Sequence, residues 1–581
     1  MNKKILNFLV IIVLSFITFW WTFLIFHYEF DLSLVLSVIS LRMLASYSIF
    51  SDYSLSWSKS TTQTFLMKSI VYIIPFFFYA IYYYGEFWLS FLTSELFLYL
   101  FAINFMMYSY NYFMNKSKIK KSKDVVIYGS GNSALRLENE FKNSEYKVIY
   151  FVDDDKVKQN RSIDSIQIIS PQTLDKYIDK QKYNFDMLAI TIPTSNQSRI
   201  NEIFEKYNKV FKTIKILPSL EERFIKNGVK NHLKDISVED LLARRPQDLD
   251  KKAIEAFIKD RVILVTGAGG SIGSECVRQC VRYKASFVVM LDNSEFNLYK
   301  IDQEMADAKV CVPVMQTVLD TEALEKTFKK YNPDIVIHTS AYKHVTLCEL
   351  NIDEAIKNNI IGTKNIIDTS CKFDVKKVIL TSTDKAVRPT NVMGATKRVC
   401  ELYAQNISLA NLTNSTEIVS VRFGNVLGSS GSVIPKFKSQ IKKGKNLTVT
   451  HKDITRYFML ISEACELVLQ AGSLGRGAEI FILDMGEPIK IYDLAKKMIK
   501  LSGKKDIDID IVGLKSGEKL YEELLISDTD KYTKYNSITI AKPTFYDIDR
   551  LNKDIKELLV CEDKLAKLKD IVPEFQHRTN I

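Results

Sequence analysis

The sequence predicts an α/β chain: an N-terminal region of about four transmembrane helices, then two parallel-sheet domains in tandem. Three observations predict it. Residues 5–26 run 22 positions without a charge, enough at about 1.5 Å per residue to cross a hydrocarbon core of about 30 Å. The apolar segment Asp124–Tyr128 runs into Gly129-Ser130-Gly131-Asn132-Ser133-Ala134. The apolar segment Val262–Val265 runs into Thr266-Gly267-Ala268-Gly269-Gly270-Ser271-Ile272-Gly273. Both are strand, glycine turn and helix in the order that dinucleotide binding uses.

At 581 residues the chain exceeds one ordinary domain. The expected division is a transmembrane region 1–115, a basic juxtamembrane linker 116–124, a first Rossmann-like domain 125–235, a linker 236–260 and a second such domain 261–581. A content of 25% charged residues with only 21 Gly and 12 Pro excludes a disordered or collagenous chain. The net charge of +11 comes from scattered lysines with no nucleic-acid-binding signature, so membrane adjacency and solubility account for it and no nucleic-acid partner is expected. All eight cysteines follow the apolar region, without a CxxC pair. His338, His344 and His451 add no metal spacing, so no metal is expected and the thiols suit a reducing compartment. Cys276 and Cys280 share a helix face and read as packing.

Within the membrane region, further apolar stretches lie near 32–50, 65–84 and 87–113, interrupted by Arg42 and Lys68. Trp20, Trp21, Tyr82, Tyr83, Tyr84 and Trp88 sit near their ends as interfacial anchors do. No small-residue cleavage site follows Phe26, which argues against a signal peptide. Lys3, Lys4, Lys59, Lys116, Lys118, Lys120, Lys121 and Lys123 flank one side of four spans, and Glu29, Asp31 and Glu86 the other. The positive-inside rule then leaves both termini in the cytoplasm, a multi-pass protein of the inner membrane. The lysine run 116–123 is a stop-transfer flank or a binder of anionic headgroups.

The first Rossmann-like domain carries the acidic run Asp153-Asp154-Asp155 and a further strand at 188–193, but no catalytic cluster. A structural or regulatory role is expected for it. In the second domain Gly267 allows the tight turn, Gly270 lets backbone N–H groups approach a pyrophosphate, and Gly273 lets the helix pack on the strand. Ser271 and Ile272 stand in the same phosphate loop. Asp292 ends the next strand nineteen residues beyond Gly273, where an acidic side chain takes ribose hydroxyls, which favours NAD over NADP. Asp320 meets the adenine or caps the following helix.

The ordered set of that glycine loop, Asp292, Ala341-Tyr342-Lys343-His344-Val345, Asn359, Thr381-Ser382-Thr383-Asp384-Lys385-Ala386 and Asn391-Val392-Met393-Gly394-Ala395-Thr396-Lys397 resembles the extended short-chain dehydrogenase/reductases. Within them it is similar to the long, membrane-bound bacterial UDP-N-acetylglucosamine 4,6-dehydratases that begin diacetamidobacillosamine synthesis for glycoproteins and surface polysaccharides. The resemblance is close over about 260–540, and the spans and first nucleotide fold extend it. It implies NAD held by the glycine loop, Asp292, Asp320, Ala341, Lys343, Asn359 and Lys397. It implies a UDP-sugar held by Lys343, His344, Arg422, Asn425, Arg456 and Glu518, and a homo-oligomer.

A 4,6-dehydratase needs a base at the 4-hydroxyl, a base at C5 and an acid at the 6-hydroxyl. By resemblance Asp384 protonates the leaving 6-oxygen, Lys385 takes the C5 proton and Thr383 hydrogen-bonds the 4-hydroxyl. The superfamily tyrosine is replaced by Met393, and a thioether carries no proton. Lys397, one helical turn on, keeps the position that binds the nicotinamide ribose. Asp384 acting through Thr383 is the expected base at the 4-hydroxyl. The competing readings are a UDP-sugar 4- or 5-epimerase, which needs neither an acid at O6 nor the pair Asp384-Lys385 for C4 inversion, and a non-catalytic membrane NAD sensor. Singly, Arg422 or Arg456 also reads as an ion-pair residue.

Overall fold

The computed structural model describes residues 3–49, 57, 60, 62–115, 121–142, 144–179, 185–192, 197–217, 233–235, 240, 249–410, 412, 415–504, 506–523 and 531–578. Lys59, Lys116, Lys118 and Lys120, used above for orientation, lie outside these, as do most residues of 236–248.

Four helices come first: Lys3–Phe26, Leu32–Ser48, Thr62–Tyr82 and Leu89–Asn115. Three are long and apolar enough to cross a membrane, over Asn7–Phe26, Thr62–Tyr82 and Leu89–Phe113. Leu32–Ser48 is shorter at 17 residues, so three of the four expected spans have the needed length and the other is a short apolar helix capped by Asp31. Arg42, which interrupts that helix, turns inward. Its Nη1 and Nη2 donate to Glu95 Oε1 and Oε2 at 3.1 and 2.7 Å, Nη1 also reaches Ser15 Oγ at 3.0 Å, and Thr18 Oγ1 donates to Glu95 Oε1. An unpaired charge among apolar helices is costly, so this pair ties the short helix to Leu89–Asn115.

The first α/β domain holds a seven-stranded sheet in the order Ser162–Ile163, Ile166–Ile169, Tyr146–Val152, Lys123–Tyr128, Met187–Ile190, Thr213–Ile216, Lys234–Asp235. Gly129 takes φ +107 at the end of its strand, a conformation that favours glycine. The backbone N–H and the hydroxyl of Ser130 both donate to Asp153 Oδ2. The chain's own serine thus engages the acidic strand end.

The second domain is built on a nine-stranded sheet in the order Cys311–Met315, Phe287–Asp292, Val262–Thr266, Ile335–His338, Lys377–Thr383, Glu417–Phe423, Ile480–Leu483, Ile538–Ile540, Lys531–Tyr532. The first seven are parallel and the last two pair antiparallel. Helices cover both faces, so the strands read as continuous apolar runs. The period of two is nonetheless visible in which core each residue enters: Leu264, Val336, Val378 and Ile418 enter one core, and Ile263, Val265, Ile337, Ile379 and Val419 the other. The helix Lys251–Ile258, inside the expected linker 236–260, buries Ile254 and Ile258 in that second core. The C-terminal helices Ile548–Val560 and Lys564–Ile571 cover the helix Val392–Leu409 with Leu551, Ile555, Leu558 and Leu568. Leu427, Ile434, Phe437, Leu447 and Leu494 form a separate small core downstream.

The sheet order reverses between Val262–Thr266 and Ile335–His338, and ligands of such sheets bind beyond the carboxyl ends of the strands at that switch. One ion cluster sets the geometry there. Glu401, on the helix Val392–Leu409, accepts from Arg422 Nε and Nη2 at 2.7 and 2.6 Å, from Ser382 Oγ at 2.7 Å and from Arg398 Nη1 at 3.2 Å. Burial alone would raise its carboxyl, but the Arg422 charge and hydrogen bonds, with Arg398 and Ser382, more than offset this and hold it at about 2. Glu401→Gln is expected to cost about 3–5 kcal/mol, because it strands a buried guanidinium. Chemical denaturation of wild type and variant at neutral pH checks this. Because the folded value lies below the unfolded one of about 4.3, the Glu401 contribution is full above that value. It is lost as pH falls toward about 2.

Candidate active site

A cavity of about 750 Å³ opens beyond the strand ends. One side is the glycine loop, with Gly269 to Gly273 lining it. Gly267 takes φ +66, and a Cβ on Gly273 would sit 2.1 Å from Gly267 O. A Cβ on Gly269 would sit 2.4 Å from the backbone of Asn297. Side chains are therefore excluded where the helix Ser271–Arg282 meets its strand. Gly270 caps that helix without a side-chain bond, so its first N–H groups are left for an anion. Asp292 Oδ2 accepts from Gly269 N at 2.9 Å and Oδ1 from Ser294 N at 2.8 Å. Its carboxylate thus braces the glycine turn from the end of the adjacent strand. This glycine cradle, the helix terminus and the acid in place of a cation fit nicotinamide adenine dinucleotide, with Lys397 lining the far side of the cavity.

The opposite side is brought by three elements. The strand Lys377–Thr383 ends in Thr383, and a single 3₁₀ turn, Asp384–Ala386, presents the next two side chains. Thr383 Oγ1 donates to Asp384 Oδ1 at 2.8 Å and Lys385 Nζ donates to the same oxygen at 2.9 Å. Asp384 is fully buried, and its Oδ2 has no hydrogen-bond partner among the described residues. A Cβ on Gly424 would stand 3.2 Å from that oxygen. Lys385 Nζ also donates to Asn425 Oδ1 at 3.3 Å. Burial lowers the Lys385 ammonium, but the charges of Asp384 and Glu522 more than offset this, so its proton is held more tightly than usual. The helix Val392–Leu409 contributes Met393 and Lys397, both lining the cavity. His338 bonds Thr266 Oγ1 and Thr363 Oγ1 through its two nitrogens. Burial, with Lys397 nearby, pushes it down to about 3, so it is neutral and structural as expected.

Several expected site residues stand elsewhere. Arg422 is a core residue: its guanidinium is turned into the protein by the Glu401 pairing and does not line the cavity. Arg456 and Glu518 pair with each other at 3.4 Å, and neither lines the cavity. Asn359 lies behind the loop, with Oδ1 accepting from Tyr342 N and Nδ2 donating to Thr396 Oγ1, so it positions Ala341 to His344. Asp320 caps the helix Thr321–Tyr331 by accepting from Ala323 N, the second of its two readings. Thr383, Lys385, Met393, Lys397, Ala341, Lys343, His344 and Asn425 all reach the cavity, whereas Asp384 and Asp292 are buried behind its lining. No group of three or more potential metal ligands occurs among the described residues.

Three contributors escaped the sequence reading. Thr339 lines the cavity and donates to Thr266 O. The turn Gly428-Ser429-Ser430-Gly431-Ser432 closes over the glycine loop, with Ser430 N donating to Ser271 Oγ at 3.1 Å and Gly431 against the His344 ring. Its glycine and serine content was the available signal. Glu522, 3.5 Å from Lys385 Nζ, had none.

Residues 263–543 match the family described as polysaccharide biosynthesis protein, and 121–211 match a family described as C2185-like, N-terminal. The chain is 41% identical over 467 residues to the capsular polysaccharide biosynthesis protein CapD of Staphylococcus aureus, covering 79% of this chain and 78% of that one. It is 40% identical over 421 residues to the probable polysaccharide biosynthesis protein EpsC of Bacillus subtilis, covering 71% and 70%. The chain belongs to the polysaccharide biosynthesis protein family. It is also 33% identical over 274 residues to a UDP-glucose 4-epimerase of Rickettsia canadensis, covering 46% of this chain and 79% of that one. The resemblance to extended short-chain dehydrogenase/reductases of nucleotide sugars is borne out.

Gly273→Ala is expected to abolish NAD binding, because the new methyl group meets Gly267 O at 2.1 Å. Titration of the purified variant with NAD, followed by calorimetry, checks this. Affinity within about tenfold of wild type, or about 1.4 kcal/mol, would mean that the turn relaxes freely.

Proposed function

We propose that the chain is an NAD-dependent 4,6-dehydratase, a hydro-lyase that converts UDP-N-acetylglucosamine to a UDP-4-keto-6-deoxy-N-acetylhexosamine for glycan synthesis. The observation that carries it is the Asp384-Lys385 pair, a buried carboxylate with one oxygen unengaged beside an ammonium at the strand end. An enzyme that only inverts C4 needs neither an acid at the 6-oxygen nor a base at C5. Bound at the glycine loop, NAD would accept a hydride from sugar C4 and return one to C6, with no net redox.

The chain's own residues then move protons. Thr383 Oγ1, 2.8 Å from Asp384 Oδ1, passes the 4-hydroxyl proton to that carboxylate. Asp384, now an acid, gives a proton to the 6-oxygen as the C6–O bond breaks, and water leaves. Lys385, as the neutral amine, takes the C5 proton and gives one back to C5 when C6 is reduced. Met393 shapes the pocket, and Lys397 holds the cofactor ribose.

The catalytic part works at the cytoplasmic face of the inner membrane in this reading. The short helix Leu32–Ser48 counts as a fourth span, supported by the Arg42–Glu95 pair that draws it into the helical bundle. The membrane helices supply location, so a chain starting near Lys123 is expected to retain turnover. The first α/β domain is structural or regulatory, supported by Ser130 engaging Asp153. A UDP-sugar epimerase is the second reading, favoured by the likeness to the Rickettsia enzyme.

A proton NMR time course with UDP-N-acetylglucosamine separates the two. A new C6 methyl doublet is the expected result, and a C4 epimer without loss of water would establish the epimerase. Asp384→Asn keeps shape but loses the proton carrier, and its rate is expected to fall about 10²–10⁴-fold. Met393→Leu is nearly volume-conserving and is expected to stay near wild type. Equal inactivity of the two variants at full NAD occupancy would remove Asp384 from the role of base.

A further inference from the structure

The loop that carries Glu522 brings a second carboxylate to Lys385. Its Oε1 lies 3.5 Å from Lys385 Nζ and 3.6 Å from Arg456 Nε, so one oxygen bridges two cations. The side chain is 2% exposed, and Oε2 has no hydrogen-bond partner among the described residues. Glu401 shows what a structural carboxylate looks like in this core, with both oxygens accepting hydrogen bonds from arginine. Glu522 accepts no such bond among the described residues and stands at ion-pair distance from the Lys385 amine. A carboxylate so buried and so little satisfied is retained at a site where its charge has a use.

We propose that Glu522 is a positioning residue, which through Lys385 and Arg456 holds the amine against Asp384 and sets the charge at which that amine works. Arg456 and Glu518 then form the arm that fixes Glu522, which accounts for their pairing away from the cavity. The inference rests on the proposed reaction only for its kinetic consequence. The charged groups facing Lys385 are Asp384 on its own turn, Glu522 from the C-terminal loop and Arg456 from the strand Thr455–Arg456, while Asn425 faces it as a neutral acceptor. The two carboxylates hold the Lys385 proton more tightly, and Arg456 opposes them. A lysine that must be neutral to take the C5 proton therefore becomes active as pH rises. Glu522 moves that rise to higher pH and keeps the resting ammonium aimed at Asp384.

The test uses the full-length protein in detergent with NAD bound. Lys385 is labelled competitively with acetic anhydride across a pH series, without substrate, and its acetylation is read by mass spectrometry against exposed lysines. In Glu522→Gln the labelling of Lys385 at a fixed pH below its midpoint is expected to rise about three- to tenfold, as loss of a facing charge demands. Glu522→Asp is expected to fall between the two. The pH profile of kcat with UDP-N-acetylglucosamine is expected to move to lower pH in the same order. An unmoved labelling curve in Glu522→Gln with NAD occupancy retained overturns the proposal, as does a uniform loss of kcat with an unmoved profile. If labelling shifts while wild type releases no water from the sugar, the dehydratase reading fails and the role of Glu522 stands. Should Glu522→Gln lose NAD, Glu522→Asp decides by the same curve.

Discussion

Glu401 is the point at which three parts of the catalytic domain are held together. It stands on the helix that presents Met393 and Lys397, and it bonds Ser382 on one strand and Arg422 on the next. Those strands end in Thr383 and Phe423, which both line the cavity. The distance between the helix and the strand ends therefore depends on a fully buried, bidentate ion pair. Two charges in a core are tolerated only when the geometry satisfies both, so the cluster specifies one arrangement and penalises its neighbours.

Close backbone approach performs the same service on the cofactor side. Gly273 and Gly267 come so near that no side chain fits, and Asp292 braces the turn from the adjacent strand. The helix terminus is thereby fixed against the switch in strand order. Across the cavity Thr383 at a strand end and Lys385 on the turn that follows both donate to one oxygen of Asp384.

The apolar N-terminal helices follow a related rule. Arg42 and Glu95 would each be costly alone among apolar helices, and pairing makes both tolerable while fixing which faces meet. In the first α/β domain Ser130, next to Gly129, engages Asp153 at the adjacent strand end, much as Gly269 engages Asp292 in the second.

The sequence by itself determined the order of the parts. Uncharged length marks helices, and the glycine turns are legible because only glycine adopts their backbone or admits their packing. Strand ends that bear Thr383, Asp384 and Lys385 follow from local periodicity and from likeness to known enzymes. The second apolar stretch was legible as a helix, but its shortness was not, since Arg42 reads as an interruption until Glu95 is found beside it. Direction of side chains was beyond reach for a similar reason. Arg422 at a strand end looks like a phosphate ligand, and only the fold brings Glu401, one helix away, to claim it. Glu522 carries no motif at all, and its place 3.5 Å from Lys385 is set by a loop more than a hundred residues downstream. Spacing along the chain records turns and periods; which charge meets which across the core is decided only when distant segments close on each other.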